Sequence, residues 1–242
     1  MSAPSPAVVS ELAPTGTLRV AINLGNMVLA QQDPATGEPR GVTAELAREL
    51  GKRLGVPVAF SLFDGAGKVF DAVKSGGIDI LFLAIEPVRA AEIAFTAPYV
   101  IIEGVYMVPK DSAIRTVGEV DRDGIRIGVN KGSAYDLYLT RSLRHATLVR
   151  GEDGVALFKQ QKLEAAAGVK QPIMLYAATD PDVRVLDGRF MEIRQAMGTP
   201  QGRPAGVQFL RGFVEEMKAS GMVADALRRS GQGDATVAPP ER

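Results

Sequence analysis

The 242-residue chain has no cysteine, no tryptophan and a single histidine, His145. Without cysteine there is no disulfide framework, no thiolate zinc site, no iron–sulfur cluster and no cysteine nucleophile. One histidine excludes a multi-histidine metal centre, so no metal ligands and no cofactor are read from these residues. Excess charge is missing too: 28 Lys+Arg stand against 28 Asp+Glu. A chain with no cationic surplus is a poor match for nucleic acid or an anionic membrane surface. Long hydrophobic runs are also missing. The most apolar stretch, Ile78–Ile85, contains Asp79, whereas a membrane span needs about 20 apolar residues, so direct membrane insertion is not expected. No Lys or Arg precedes Arg19, and no apolar core follows Met1, so no secretory leader is read here. What is present, 46% hydrophobic and 23% charged residues, is the balance of a soluble globular chain. It is long enough for one large domain or two small lobes.

Residues 1–16 carry Pro4, Pro6 and Pro14 and read as a loose arm. Leu18–Ile22 reads as a strand, and Asn23–Gly41 as a long loop or hairpin. Thr43 is placed to cap a helix whose apolar positions Leu46, Ala47, Leu50 and Leu54 recur three and four apart. Gly55 and Pro57 end it. Val58, Phe60 and Leu62 alternate as in a strand. Val69, Phe70 and Val73 mark a short helix, and Ile78–Ile85 reads as a strand buried on both faces. This is an α/β alternation. After a bridging stretch, Tyr99–Val108, a second series begins with a strand at Ile125–Val129. A helix starting at Ser133 follows, with Asp136 able to reciprocate the cap. Strands are expected at 146–149, 165–169, 183–186 and 190–197, and helices at 153–162 and 171–178. Pro204 opens a last long helix carrying Phe209, Leu210, Phe213, Val214 and Met217, and Gly221 ends it. Val223 and Leu227 mark a short further helix, and from Ser230 the tail reads as frayed.

Enzyme motifs are mostly missing. There is no G-x-S-x-G, and Ser133 with His145 implies no triad geometry. His145 near a helix end reads as a dipole partner or a solvated side chain. Gly65-x-Gly67-Lys68 resembles part of a phosphate loop, but Leu62 and Val69 stand where a Walker sequence needs Gly and Ser or Thr. A turn before a helix is the simpler reading. No catalytic residue is expected.

Phe82–Arg89 is more informative. A buried strand ends near Ala84, Pro87 opens a turn or helix, and Arg89 projects from its first turn. A guanidinium then lies at the carboxyl end of parallel strands, where open α/β sheets bind ligands. Arginine pairs bidentately with carboxylates. The competing reading is a solvated surface pair with Glu86.

Gly41–Ala47, Val73–Asp79, Pro87-Val88-Arg89 and Phe95–Tyr99, followed by Asp121–Val129 and Lys131-Gly132-Ser133, resemble the extracellular solute-binding proteins of family 3. Their patterns run roughly G-F-x-x-D-L-A, L-x-x-G-x-x-D, T-P-E-R and F-S-x-P-Y. The likeness covers residues 17 to about 230. It implies a two-lobed, type II periplasmic-binding-protein-like α/β fold with two hinge strands. Lobe 1 would take residues 1–106 and 196–242, and lobe 2 residues 107–195. A small-molecule ligand would sit in the interlobe cleft, with an ABC permease as partner, a monomeric state and a periplasmic location. The location would be cytoplasmic if Met1 is the native start. The residues that the resemblance implies at the ligand are Arg89, Ala84, Glu86, Asn23, Asn26, Leu29 and Gln195 from the first lobe. The second lobe would give Lys131, Ser133, Ala134, Tyr135, Val169 and Lys170.

Some positions depart from the family. Val169 stands where an acidic residue usually meets the ligand's ammonium, Ala84 where Thr or Ser is frequent, and Leu29 where an aromatic is frequent. The pocket therefore reads as roomier and less aromatic, suited through Arg89 with Lys131 or Lys170 to a carboxylate. Both lysines could equally be solvated. Cyclohexadienyl dehydratases share the superfamily and give the alternative, an enzyme, as does a cytosolic ligand-sensing domain. The dehydratases' general acid would fall near Gln171-Pro172-Ile173-Met174, which contains none. A non-enzymatic binding protein is therefore expected.

Overall fold

A computed structural model describes residues 3–241. It divides the chain into two units, Met1–Ile101 with Arg194–Arg242, and Ile102–Ile193. Along the chain the elements are α1 (Pro6–Leu12), β1 (Leu18–Asn23), β2 (Gln31–Gln32), β3 (Pro39–Arg40), α2 (Val42–Leu54), β4 (Val58–Phe63), α3 (Ala66–Lys74), β5 (Ile80–Ala84), α4 (Pro87–Ala90) and β6 (Ile93–Pro109). A 3₁₀ turn at Val117–Glu119 precedes β7 (Arg126–Asn130), α5 (Ala134–Ser142), β8 (Thr147–Gly151), α6 (Gly154–Gln161), β9 (Ala165–Val169), α7 (Lys170–Thr179) and β10 (Val183–Val185). The chain ends with β11 (Met191–Pro200), α8 (Pro204–Ala219), α9 (Met222–Arg229) and β12 (Thr236–Val237). Among the described residues no helix is long and apolar enough to cross a membrane.

In the first unit the sheet runs β4–β1–β5–β11–β6, with β12 on β6. β1 lies parallel to both β4 and β5, and β11 runs antiparallel to β5. All five residues of β5 are buried, because helices and neighbouring strands leave neither face to water. α3 packs Val69 and Val73 against Ala21, Leu81 and Leu83. The stretch Asn23–Gly41 contains the β2–β3 hairpin.

Three expectations change in this unit. Of the expected loose arm, residues 1–2 lie outside the described residues and residues 3–16 are not loose: Ser5 caps α1, Pro6 suits its first turn, and Val8 and Leu12 are buried. The carboxylate of Glu11 accepts the Gly206 N–H at 2.7 Å, satisfying an orphan donor at the start of α8. Thr43 is not the cap of α2. Gly41 holds that position with φ 101°, where a Cβ would come within 2.6 Å of the Leu29 carbonyl oxygen. Thr43 instead lies buried in the first turn and donates its hydroxyl to Leu29 O at 3.2 Å. Among the described residues, which end at 241, the tail is not frayed either. β12 pairs with Val100 and Ile101, and Lys218 Nζ donates to the carbonyls of Pro98 and Pro239.

In the second unit β7 lies parallel to β8 and β9, while β9 and β10 run antiparallel to β6. The stretch read as a bridge, Tyr99–Val108, is therefore part of β6, a 17-residue strand. Small residues allow close packing here. A Cβ on Gly128 would lie 2.3 Å from the Gly154 carbonyl oxygen, so α6 begins directly against β7. Asp153 caps α6 by accepting from the Val155 and Ala156 amides.

The start of β5 is fixed by charge. Asp79, fully buried, accepts from Arg19 Nε at 2.8 Å and Nη2 at 2.9 Å, and from Arg203 Nη1 at 2.9 Å. Burial raises its carboxyl's pKa, but the Arg19 and Arg203 hydrogen bonds outweigh it, so the group lies below the ordinary carboxylate value. A depressed folded pKa gives stability that is present above the unfolded value of about 3.9 and is lost as pH falls through the folded value. Asp79→Ala should lower the unfolding free energy at pH 7 by about 3–5 kcal/mol in urea titrations, because two arginines lose a buried partner. Asp79→Asn should also flatten the acid limb of the stability curve below pH 4. An unchanged midpoint and acid limb would contradict this role for Asp79.

Candidate functional site

The carboxyl ends of β1 and β5 lie side by side, since the two strands are parallel with Ala21 opposite Leu81. Asn23 and Ala84 end these strands, at the edge where open α/β sheets take ligands. Beyond Ala84 the chain turns through Glu86, and Pro87 opens the single turn of α4. The Arg89 N–H donates to Glu86 O at 2.9 Å. Its side chain folds back so that Nη1 donates to Ala84 O at 3.0 Å. Arg89 is only 1% exposed and Glu86 2%. The solvated surface pair is thus not what forms, because the turn carries both groups inward. Burial pushes the Arg89 guanidinium down to about 10, with the charge of Glu86 acting in the opposite direction. Arg89 therefore stays cationic at neutral pH, in surroundings poor in water, where a planar fork of donors holds a carboxylate strongly.

Gln195 of β11 faces Ala84 across the antiparallel ladder and is buried. Ala84, Glu86, Arg89 and Gln195 therefore form one group. Asn23 and Asn26 have structural duties in the neighbouring loop: their side-chain oxygens accept from Gly25 N at 3.0 Å and Val28 N at 3.3 Å. Leu29 is buried, and its carbonyl accepts from Thr43. A depression of about 460 Å³ in this unit, lined by residues including Ile85, Phe95, Arg203 and Arg211, does not include Arg89 or Gln195.

In the second unit Lys131, Ser133, Ala134 and Tyr135 form the turn from β7 into α5. Lys131 is exposed, and Ala134 and Tyr135 are buried. Burial pushes the Tyr135 phenol up to about 12. Ser133 caps α5 by accepting the Asp136 N–H at 3.1 Å, as expected. The reciprocal half differs. Asp136 accepts from Gly132 N at 2.8 Å, because Gly132 at φ 73° turns its own N–H inward while the Ser133 N–H goes to Asn130 O. Asp136 also holds Arg150 Nε at 2.8 Å. His145 is exposed beyond the end of α5, with Nδ1 3.3 Å from Asp123. Lys68 pairs with Asp64 at the turn before α3.

Val169 and Lys170 stand where β9 passes into α7. Val169 has no side-chain acceptor. Lys170 Nζ is bound to Glu103 at 2.6 Å, and Arg189 to the same carboxylate at 2.8 Å. The hydrogen bond from Lys170, with that from Arg189, holds Glu103 below the ordinary carboxylate value. Sequence reading did not find Glu103. Its closeness to Lys170 follows from the pairing of Gly104 with Val169, which no local pattern announces.

A sequence profile of the bacterial extracellular solute-binding proteins, family 3, matches residues 18–231. No curated protein matches the chain in sequence. Among solved structures, a solute receptor for L-cysteine of Neisseria gonorrhoeae is similar at 22% identity and TM-score 0.78, covering 92% of this chain and 93% of its own. An amino acid ABC transporter substrate-binding protein from Streptococcus pneumoniae, bound to L-arginine, is similar at 19% identity and TM-score 0.76, with coverage of 93% and 98%. An ancestral amino-acid-binding protein described as a precursor of cyclohexadienyl dehydratase is similar at 22% identity and TM-score 0.74, with coverage of 91% and 98%.

The Asp136 contacts give a direct expectation. Asp136→Ala removes a charged acceptor of the Gly132 N–H and should speed that amide's hydrogen exchange tenfold or more, as a hydrogen bond to a charged group is worth about 1.5–3 kcal/mol. Exchange at wild-type speed would mean that Asp136 does not hold the turn.

Proposed function

The chain belongs to the bacterial extracellular solute-binding proteins, family 3, with the type II periplasmic-binding-protein fold, and from that premise we propose that it captures a small carboxylate-bearing solute through Arg89. The observation that carries this reading is the buried guanidinium at the carboxyl end of β5, bonded to Ala84 O. A buried guanidinium presents a planar fork of donors, and a carboxylate matches that fork. The neighbours described as binding L-cysteine and L-arginine take ligands that bear a carboxylate. They support the ligand class without fixing its remainder.

The same neighbours support import as the purpose. The streptococcal protein belongs to an amino acid ABC transporter, and we carry a permease partner and a location outside the cytoplasmic membrane over to this chain. Binding without turnover is the reading for the chemistry. The ancestral neighbour is described as amino-acid-binding and only as a precursor of the dehydratase. The stretch Gln171–Met174, where the dehydratase comparison expects a general acid, offers no carboxyl group.

Thermal-shift and calorimetric titrations with succinate, glutarate, L-glutamate and L-glutamine test the proposal. A bound carboxylate at 100 times its Kd should stabilise the wild type by about 2.7 kcal/mol. Arg89→Ala should abolish that shift, and Arg89→Lys, which keeps the charge but loses the fork, should weaken binding at least tenfold. Wild-type affinity in Arg89→Lys, or equal stabilisation by amines that lack a carboxylate, would overturn it.

A further inference from the structure

We propose that Gln195 reads a polar substituent on the carbon next to the ligand's carboxylate, and that this makes 2-hydroxy acids the preferred ligands. The inference rests on the Arg89 reading and adds a second contact to it.

Gln195 is 6% exposed. Among the described residues its side-chain amide has no hydrogen-bond partner. Buried amides are almost always satisfied, and its own strand makes this one conspicuous. Ile193, Gln195 and Met197 lie on one face of β11 by the two-residue alternation, and both of its neighbours on that face are buried and apolar. Nor is the amide sealed in. The buried hydroxyls of Tyr99 and Thr199 are fully enclosed and lack partners, whereas the Gln195 amide is not among the enclosed, partnerless groups. The amide therefore keeps some contact with solvent.

The residue directly across the ladder is Ala84, so the two Cβ atoms are about 4.5–5.5 Å apart. Ala84 offers only a methyl group to that space, while its carbonyl holds Arg89 Nη1 at 3.0 Å. One backbone position thus stands beside both the guanidinium and Gln195, so a carboxylate on Arg89 would bring its next carbon toward the amide.

The chemistry of the amide selects the substituent. It donates through NH₂ and accepts through its carbonyl, and a hydroxyl both donates and accepts. An ammonium has three donors and favours an ionised acceptor. The acid in this group, Glu86, is buried and electrostatically coupled to Arg89. A hydroxyl is the better match, and an unsubstituted acid leaves the amide unsatisfied.

Calorimetry with two matched pairs, lactate against propionate and malate against succinate, tests this on the wild type, Gln195→Met and Gln195→Glu. The wild type should bind the hydroxy member at least tenfold more tightly. Gln195→Met, which keeps length and apolar packing, should reduce that ratio to within about twofold while still binding propionate and succinate. Gln195→Glu should shift the preference from lactate toward L-alanine by supplying an ionised acceptor, which keeps the test decisive if the methionine variant does not fold. A wild-type ratio near one, L-alanine above lactate in the wild type, or an undiminished ratio in Gln195→Met would overturn the inference. If Arg89→Ala abolishes binding while Gln195→Met keeps the ratio, only the Gln195 assignment fails. If Arg89→Ala binds as the wild type does, or the wild type binds none of the four acids, the parent reading fails with it.

Discussion

A guanidinium almost wholly removed from water, at the end of a strand whose every residue is buried, is the constraint around which the first unit is organised. Arg89 reaches that position because Pro87 starts α4 immediately after β5 and the turn folds the side chain back onto Ala84 O. Burial lowers its proton affinity and Glu86 acts in the opposite direction, so the group stays charged where charge is expensive. Such a buried, charged fork is what the proposed carboxylate ligand would meet.

The same strand begins at a second buried charge, and the two ends differ. Asp79 is met by two arginines in close hydrogen bonds that outweigh its burial. That assembly is complete within the protein and serves stability. At Arg89 burial is the leading influence, and the neighbouring Gln195 amide lacks a partner among the described residues. The Asp79 end of β5 is closed by the protein's own side chains, and the Arg89 end is where we propose the ligand. The second unit shows comparable economy in its turn from β7 to α5, where Asp136 fixes Gly132 and Arg150 together.

Much of the fold was legible because its signals are local. The spacing of Leu46, Leu50 and Leu54, the left-handed Gly55 and the unbroken apolar run of β5 each declare their element within a few residues. The failures were tertiary. Nothing local says that α1 is held by Glu11 reaching Gly206, or that the tail is held by β12 pairing with β6. Thr43 carries a capping residue's chemistry, but Gly41 takes the cap because the chain passes too close to Leu29 for a side chain. The position of Arg89 just beyond a buried strand was legible, since Ile78–Ile85 is apolar and Pro87 follows it. Its burial with Glu86, the register that sets Gln195 against Ala84, and the grip of Glu103 on Lys170 all depend on which strands become neighbours.

The most direct test of the central claim is a crystal structure of the wild-type protein with the tightest-binding acid from the titrations. Both carboxylate oxygens should lie within about 3 Å of the Arg89 guanidinium nitrogens, the distance of a charge-assisted fork. A ligand bound elsewhere, or bound with its carboxylate turned away from Arg89, would contradict it.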